Sequence, residues 1–266
     1  MISFNQAAVV AHDGATILHP VTLALTEQRV SIVGANGSGK STLARLINGL
    51  VEPTSGSVTI GAEHRGTERY SAAGTSAARD SAAAASQASP GIAPGAAPDA
   101  GLDTVRDGAA VRRTVGFVFT DPAAQLIMPT VLEDVELSLR REHREAGARR
   151  AAALSALARF GLDGFAERSV YALSGGQQQL LAIATVLATD PRILVADEPT
   201  TLLDLRNTRA IAELLFSLPQ QVVVVTHNLE LAARADRTLV VADGRVVFDG
   251  EPAAAIAHYR ASAGAL

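Results

Sequence analysis

Three short runs, RVSIVGA (29–35), RILVADE (192–198) and QVVVVTH (221–227), are apolar at most positions and rich in β-branched residues. Runs without polar alternation predict strands covered on both faces, as in a parallel sheet. Helical patterns follow the first and third runs, and this alternation implies an α/β fold with a parallel sheet. Ligands of such sheets gather beyond the carboxyl ends of the strands. At those ends this chain places a glycine loop, Asp197 with Glu198, and Thr226 with His227.

The flanking pattern differs. ISFNQAAVVA (2–11), TILHPVTLALT (16–26) and SGSVTIG (55–61) are short strand-like pieces separated by turn signals, which predicts a small antiparallel sheet beside the parallel core. Residues 121–172 carry apolar positions at helical spacing, with an Ala/Arg/Glu-rich polar face in VLEDVELSLRREHREAGARRAAALSALARFGL, and are expected to form a helical subdomain. Residues 62–108 are rich in Ala, Ser, Gly and Pro and lack a periodic apolar face. They are expected to be a disordered insertion, because they cannot bury enough surface to offset their ordering entropy. The expected organisation is one domain over 1–266. An antiparallel β-subdomain and phosphate loop occupy 1–61, the insertion 62–108, the helical subdomain 121–172, the rest of the core 173–250 and a tail 251–266.

Composition narrows the function classes. With 266 residues, 48% of them hydrophobic, the chain can bury one large core. It has no cysteine, which excludes disulfides and thiolate metal sites. A net charge of −4 argues against broad nucleic-acid binding. No apolar run reaches the roughly 18–20 residues of a membrane span, and the start, MISFNQAAVV, lacks the pattern of a signal peptide. A membrane role is therefore expected to run through a partner.

The stretch SIVGANGSGKSTL (31–43) contains Lys40, the single lysine of a chain with 23 Lys and Arg. Gly34, Gly39, Lys40 and Ser41 fit G-x-x-x-x-G-K-[ST], between a predicted strand and a predicted helix. The backbone of Gly34, Gly37 and Gly39 can curl its N–H groups onto phosphates, and a helix N-terminus adds positive charge. Lysine reaches the β- and γ-oxygens as a slender point charge where the wide guanidinium fork of arginine would crowd the loop. Ser41 is expected on Mg²⁺. Asp197 and Glu198 at a strand end suit Mg²⁺ binding and the polarisation of an attacking water, although alone they also read as a solvated acidic turn.

With LSGGQQQ (173–179), ILVADEPTTLLD (193–204) and VVVTHN (223–228), the phosphate loop makes the chain resemble the ATP-binding cassette (ABC) ATPases. The resemblance covers all but the insertion and the last dozen or so residues. It implies a P-loop NTPase fold with a RecA-like parallel sheet, and ATP and Mg²⁺ as ligands. By this resemblance Asn36, Gly37, Ser38, Gly39, Lys40, Ser41 and Thr42 wrap the phosphates. Ser41 and Asp197 serve the metal, Glu198 is the base and His227 contacts the γ-phosphate. Ser174, Gly175 and Gly176 bind the nucleotide held by the opposite subunit of a dimer, and Asp204 belongs to the loop that communicates across it. Two positions depart from the family. The stretch VVAHDGATIL (9–18), where many relatives carry an aromatic that stacks on adenine, offers none, His12 being the nearest flat side chain. Thr120 occupies the place of a glutamine that reaches metal and water, with Gln125 five residues on.

FVFTDPAAQLIMPTVLEDV (117–135) is similar to the corresponding pattern of energy-coupling factor ATPases, and LTEQRVSIVGANGSGKSTLARLINGL (25–50) to their biotin branch. That likeness implies an ATPase at the cytoplasmic face of the membrane, paired with a transmembrane coupling protein and a small substrate-binding membrane protein. The ATPase would act as a homodimer or beside a second ABC ATPase, with no nucleic acid bound. Residues 125–135 would receive the coupling helices, with Pro129, Glu133 and Asp134 as lining. Thr130 and Glu133 also read as a capping box. The alternatives are a conventional ABC transporter, a cobalt, nickel or other vitamin system, a soluble ABC protein acting on nucleic acid or ribosomes, and a P-loop kinase.

Overall fold

Two sheets arise from the two kinds of pattern. The computed structural model describes residues 1–61 and 101–263. In chain order the strands and α-helices are β1 (Ile2–Val10), β2 (Thr16–Leu25), β3 (Arg29–Val33), α1 (Lys40–Asn48), β4 (Ser55–Ile60), β5 (Leu102–Asp103), α2 (Gly108–Thr114), β6 (Val115–Val118), α3 (Val131–Leu139), α4 (Ala146–Arg159), α5 (Gly175–Leu187), β7 (Ile193–Asp197), α6 (Leu205–Ser217), β8 (Gln221–Val225), α7 (Leu229–Ala232), β9 (Arg237–Ala242), β10 (Arg245–Gly250) and α8 (Pro252–Ala263).

The flanking strand-like pieces, with the short β5, form an antiparallel sheet in the order β2-β1-β4-β5. The apolar runs form a second sheet, β10-β9-β3-β8-β7-β6, parallel except for the edge strand β10. Ile2, Phe4, Leu18 and Leu25 from the first sheet, Ile32, Val195 and Val223 from the second, and Leu43, Leu46 and Ile47 from α1 share one core. Helix α1 is thus held from both sides, which fixes the loop that precedes it. Arg237 pins the sheets together at the rim, pairing with Asp249 on β10 and with Glu27 beyond β2. The helical subdomain has its own core, in which Leu132, Val135 and Leu139 of α3 pack with Leu157 of α4 and Leu181 of α5.

Three differences from the sequence reading are structural findings. A helix, α6, also follows the second apolar run, whereas the third is followed by only the four residues of α7. Residues 101–108, placed by composition in the insertion, include β5 paired with β4 and the start of α2. There Asp103 accepts backbone hydrogen bonds from Val105 and Arg106, so local turn chemistry orders a stretch without apolar periodicity. The rest of the insertion, 62–100, lies outside the described residues. Finally, the tail expected from 251 folds into α8, whose Ala255 and Ile256 pack on Val33, Ala232 and Val240.

Candidate active site

Neighbouring carboxyl ends of the parallel sheet build the site. Strand β3 runs into residues 34–39 and then α1. Gly34 has no room for a side chain, since a Cβ there would sit 2.1 Å from the Val241 carbonyl oxygen. Gly39 starts α1 in the left-handed region (φ 101°), and no side chain caps this helix, whereas Thr130, Ser174, Asp204 and Asn228 cap α3, α5, α6 and α7. The first N–H groups of α1 therefore lack a side-chain acceptor, as an anion site requires. The Ser38 hydroxyl, in the same loop, is buried without a hydrogen-bond partner.

Lys40 is 5% exposed and its Nζ donates to the Ala35 carbonyl at 2.7 Å, folding the ammonium back across the loop. Burial lowers its pKa, and the charges of Glu198 and Asp197 oppose that shift. The next residue, Ser41, donates to Asp197 Oδ1 at 2.8 Å, and Arg45 lies 3.4 Å from Oδ2. Asp197 ends β7 and is 1% exposed. Burial raises its pKa against the opposing effects of the Ser41 hydrogen bond and Arg45. A hydroxyl and a carboxylate at this separation are hard oxygen donors suited to Mg²⁺, which takes one or two carboxylates and completes its shell with phosphate and water. Among the described residues no cluster of three or more His, Cys, Asp or Glu could hold a metal alone. These residues fit a metal that arrives with a nucleotide.

The raised Asp197 pKa has a consequence for stability. Its charged form is disfavoured in the folded chain, so Asp197→Asn relieves that cost. In the absence of nucleotide, the variant is expected to melt higher at pH 7, by about 2–4 °C for each ~1 kcal/mol relieved. The advantage fades as pH falls through the raised carboxylate range, because the wild-type group is then neutral too. Thermal melts at pH 7 and pH 5 check this, and an equal or lower melting point at pH 7 would contradict it.

Glu198 follows with φ 52°, a left-handed conformation that is costly for a side-chain-bearing residue and that clusters at functional sites. Its backbone N–H bonds the Val225 carbonyl at the end of β8. Its carboxylate accepts from the Thr201 hydroxyl (3.0 Å) and lies 2.8 Å from His227 Nδ1. A cleft of about 450 Å³ is lined by Gly34, Ala35, Asn36, Thr120, Glu198, Thr201, His227 and Tyr259. The structure thus brings the phosphate loop, the acidic pair and His227 together.

It does not bring Ser174, Gly175 and Gly176 to that cleft. Ser174 caps α5 in a capping box with Gln177, and Gly176 lies against Asn207 of α6, whose side-chain atoms a Cβ would meet at 2.5–2.7 Å. Asp204 holds the same unit, accepting from Asn207 N (2.8 Å) and Nδ2 (3.0 Å). His12 is exposed in the β1–β2 turn and lines neither of the two cavities beside the loop. Thr120 donates to the Asp197 carbonyl (2.9 Å). Gln125 accepts from Phe119 N (3.2 Å) and donates to the Ala182 carbonyl (3.0 Å). Both side chains are therefore engaged in holding the fold. Asp134 is corrected as a groove residue: it is 2% exposed and accepts from the backbone N–H groups of Ile127 and Met128. The Thr130–Glu133 capping box is formed, and Pro129 and Ile127 are exposed beside it. Sequence reasoning missed Tyr259, because nothing within the tail tied it to the cleft.

Comparison with known proteins agrees with this geometry. A family model described as ABC transporter matches residues 18–201. The chain is 37% identical to the biotin transport ATP-binding protein BioM of Rhizobium etli, over 97% of each chain. Its structure is similar to that of CbiO1 from Clostridium perfringens, part of the ABC transporter complex CbiONQ. The TM-score is 0.73 at 25% identity, covering 98% of this chain and 92% of that one. It is also similar to the ATP-binding cassette MJ0796 in a dimeric post-hydrolysis state bound to ADP and Pi, with TM-score 0.72 and 30% identity over 95% of this chain and 99% of that one.

Proposed function

This chain belongs to the ABC transporter family and is an ATPase, and from that membership we propose that it powers an energy-coupling factor importer whose cargo is biotin. The observation that carries the transporter type is the segment 117–135, together with the alignment to a biotin transport ATP-binding protein along nearly the whole chain. In the structure this segment leaves β6, turns past Gln125 and presents Ile127 (69% exposed) and Pro129 before α3. An apolar, exposed turn at the edge of the helical subdomain suits a docking helix of a membrane protein. Among the described residues no helix is long and apolar enough to cross a membrane. In this reading, which rests on the likeness to biotin transport ATP-binding proteins, the chain acts peripherally, at the cytoplasmic face, through a transmembrane coupling protein and a small substrate-binding membrane protein.

The chain's own residues divide the work. The loop from Asn36 to Thr42 binds the phosphates, with Lys40 leaving the Ala35 carbonyl for the β- and γ-oxygens. Ser41 and Asp197 hold Mg²⁺, which supplies charge neutralisation at those phosphates. Glu198 takes the proton of the attacking water, and His227 holds its carboxylate in place. Each subunit has one phosphate loop and one LSGGQ turn that do not meet within the chain. Two copies, or one copy and a second ABC ATPase, would pair head to tail so that Ser174, Gly175 and Gly176 of one close on the γ-phosphate of the other. Closure then depends on contacts made only with ATP bound.

Uptake of radiolabelled biotin by cells expressing this chain with its membrane partners tests the cargo. Uptake should be saturable and lost with Glu198→Gln. Uptake of cobalt, nickel or another vitamin in place of biotin would keep the mechanism and remove the cargo assignment.

A further inference from the structure

Helix α8 places a tyrosine at the catalytic cleft. Tyr259 lines the cleft together with Glu198 and His227, and also lines a second cavity of about 440 Å³ beside the loop, with Ala35–Ser38 and Val240–Asp243. It thus stands at the partition between the two. Its ring packs on the cluster of Val33, Ala232, Val240, Ala255 and Ile256. Val33 immediately precedes Gly34, and Ala232 ends the short helix that follows His227. The ring is therefore fastened to both chain segments that form the cleft.

The polar groups of that wall are mostly spent. Thr120 donates to the Asp197 carbonyl, Thr201 donates to Glu198, and His227 Nδ1 pairs with Glu198. Gln125 is turned into the helical subdomain. Among the described residues, His227 Nε2, the phenol of Tyr259 and the amide of Asn36 have no protein hydrogen-bond partner, and none of them is a buried orphan. A half-buried tyrosine with its ring in apolar contact and its hydroxyl without a partner among the described residues has an apolar body and a wet tip, where phenylalanine would serve the packing alone.

We propose that the Tyr259 hydroxyl is a catalytic hydrogen-bond donor at the γ-phosphate end of the cleft, orienting terminal phosphate or attacking water where Thr120 and Gln125 do not reach. This rests on the ATPase reading of the cleft. Only its hydrogen bond is used, so the chemistry of hydrolysis is unchanged.

Tyr259→Phe keeps the ring and removes the donor. Losing one hydrogen bond to a charged group in the transition state is expected to lower kcat about tenfold, with KM for ATP within about twofold. The melting temperature should match that of the wild type. Tyr259→Ala should lose at least as much activity and also melt lower. Wild-type activity in Tyr259→Phe, or a loss confined to Tyr259→Ala and accompanied by a lower melting point, would reduce the residue to packing and overturn the proposal. The wild-type assay run alongside separates the two readings. Absent hydrolysis there would overturn the ATPase reading and this proposal together, whereas full activity in both wild type and Tyr259→Phe overturns this proposal alone.

Discussion

Glu198→Gln is expected to cut ATP hydrolysis by about 10²–10⁴-fold, the range removed with a general base, while leaving ATP binding intact. The geometry gives the reason. Glu198 is held by Thr201 and His227 at 3.0 and 2.8 Å, in a backbone conformation that its surroundings must enforce. Glutamine fills the same space and still bonds both neighbours, but cannot take a proton from water. Binding groups on Lys40, Ser41 and Asp197 are untouched. The variant should therefore stop with ATP bound, and if the LSGGQ turn closes on a second subunit's nucleotide, it should accumulate as an ATP-dependent dimer. Phosphate release and mass in solution measure the two halves of this prediction. Hydrolysis within a few-fold of wild type would remove Glu198 as the base. A monomer with tightly bound ATP would remove the head-to-tail pairing.

Lys40→Arg is expected to weaken ATP binding by roughly 100-fold, although it preserves charge. Lys40 is 5% exposed, and its Nζ reaches the Ala35 carbonyl at 2.7 Å from inside the loop. The loop cannot widen, because Gly34 already abuts the Val241 carbonyl and Gly39 lies 3.0 Å, from its ideal Cβ position, from the Ile17 carbonyl. A guanidinium must displace that backbone or leave the loop, and either result misplaces the charge. Lys40→Met should lose a similar amount. Titration with a fluorescent ATP analogue checks both, and arginine binding as tightly as lysine would mean that charge alone suffices. This is the physical meaning of a chain that uses arginine at every other basic position.

Much of this site could be read from sequence because its parts are local. Residues 34–41 need a fixed spacing, and Asp197 and Glu198 follow an apolar strand directly. Ser174 and Gln177 form a capping box whose pattern is visible in four letters. The antiparallel strands were legible for the same reason, through the turn signals between short strand-like pieces. What could not be read depends on contacts distant in sequence. Asp134 looked like a surface acid, yet it is buried beneath the turn at 127–128. Gln125 stands five residues past the usual glutamine, and only the fold shows that the Ala182 carbonyl holds it. Strand β5 is two residues long and owes its existence to β4. Tyr259 sits about 220 residues after the loop it adjoins, and its place follows only from the packing of α8 on Val33 and Ala232. Spacing reveals chemistry carried on one turn of chain; chemistry assembled by packing becomes visible only in three dimensions.

The most direct test of the account is to tag the Glu198→Gln chain, purify it with ATP from the membranes of its own organism and identify what accompanies it. The account predicts a transmembrane coupling protein and a small biotin-binding membrane protein, held together with an ATPase dimer. Two large permeases, or a soluble complex with nucleic acid, would contradict the energy-coupling assignment while leaving the ATPase itself in place.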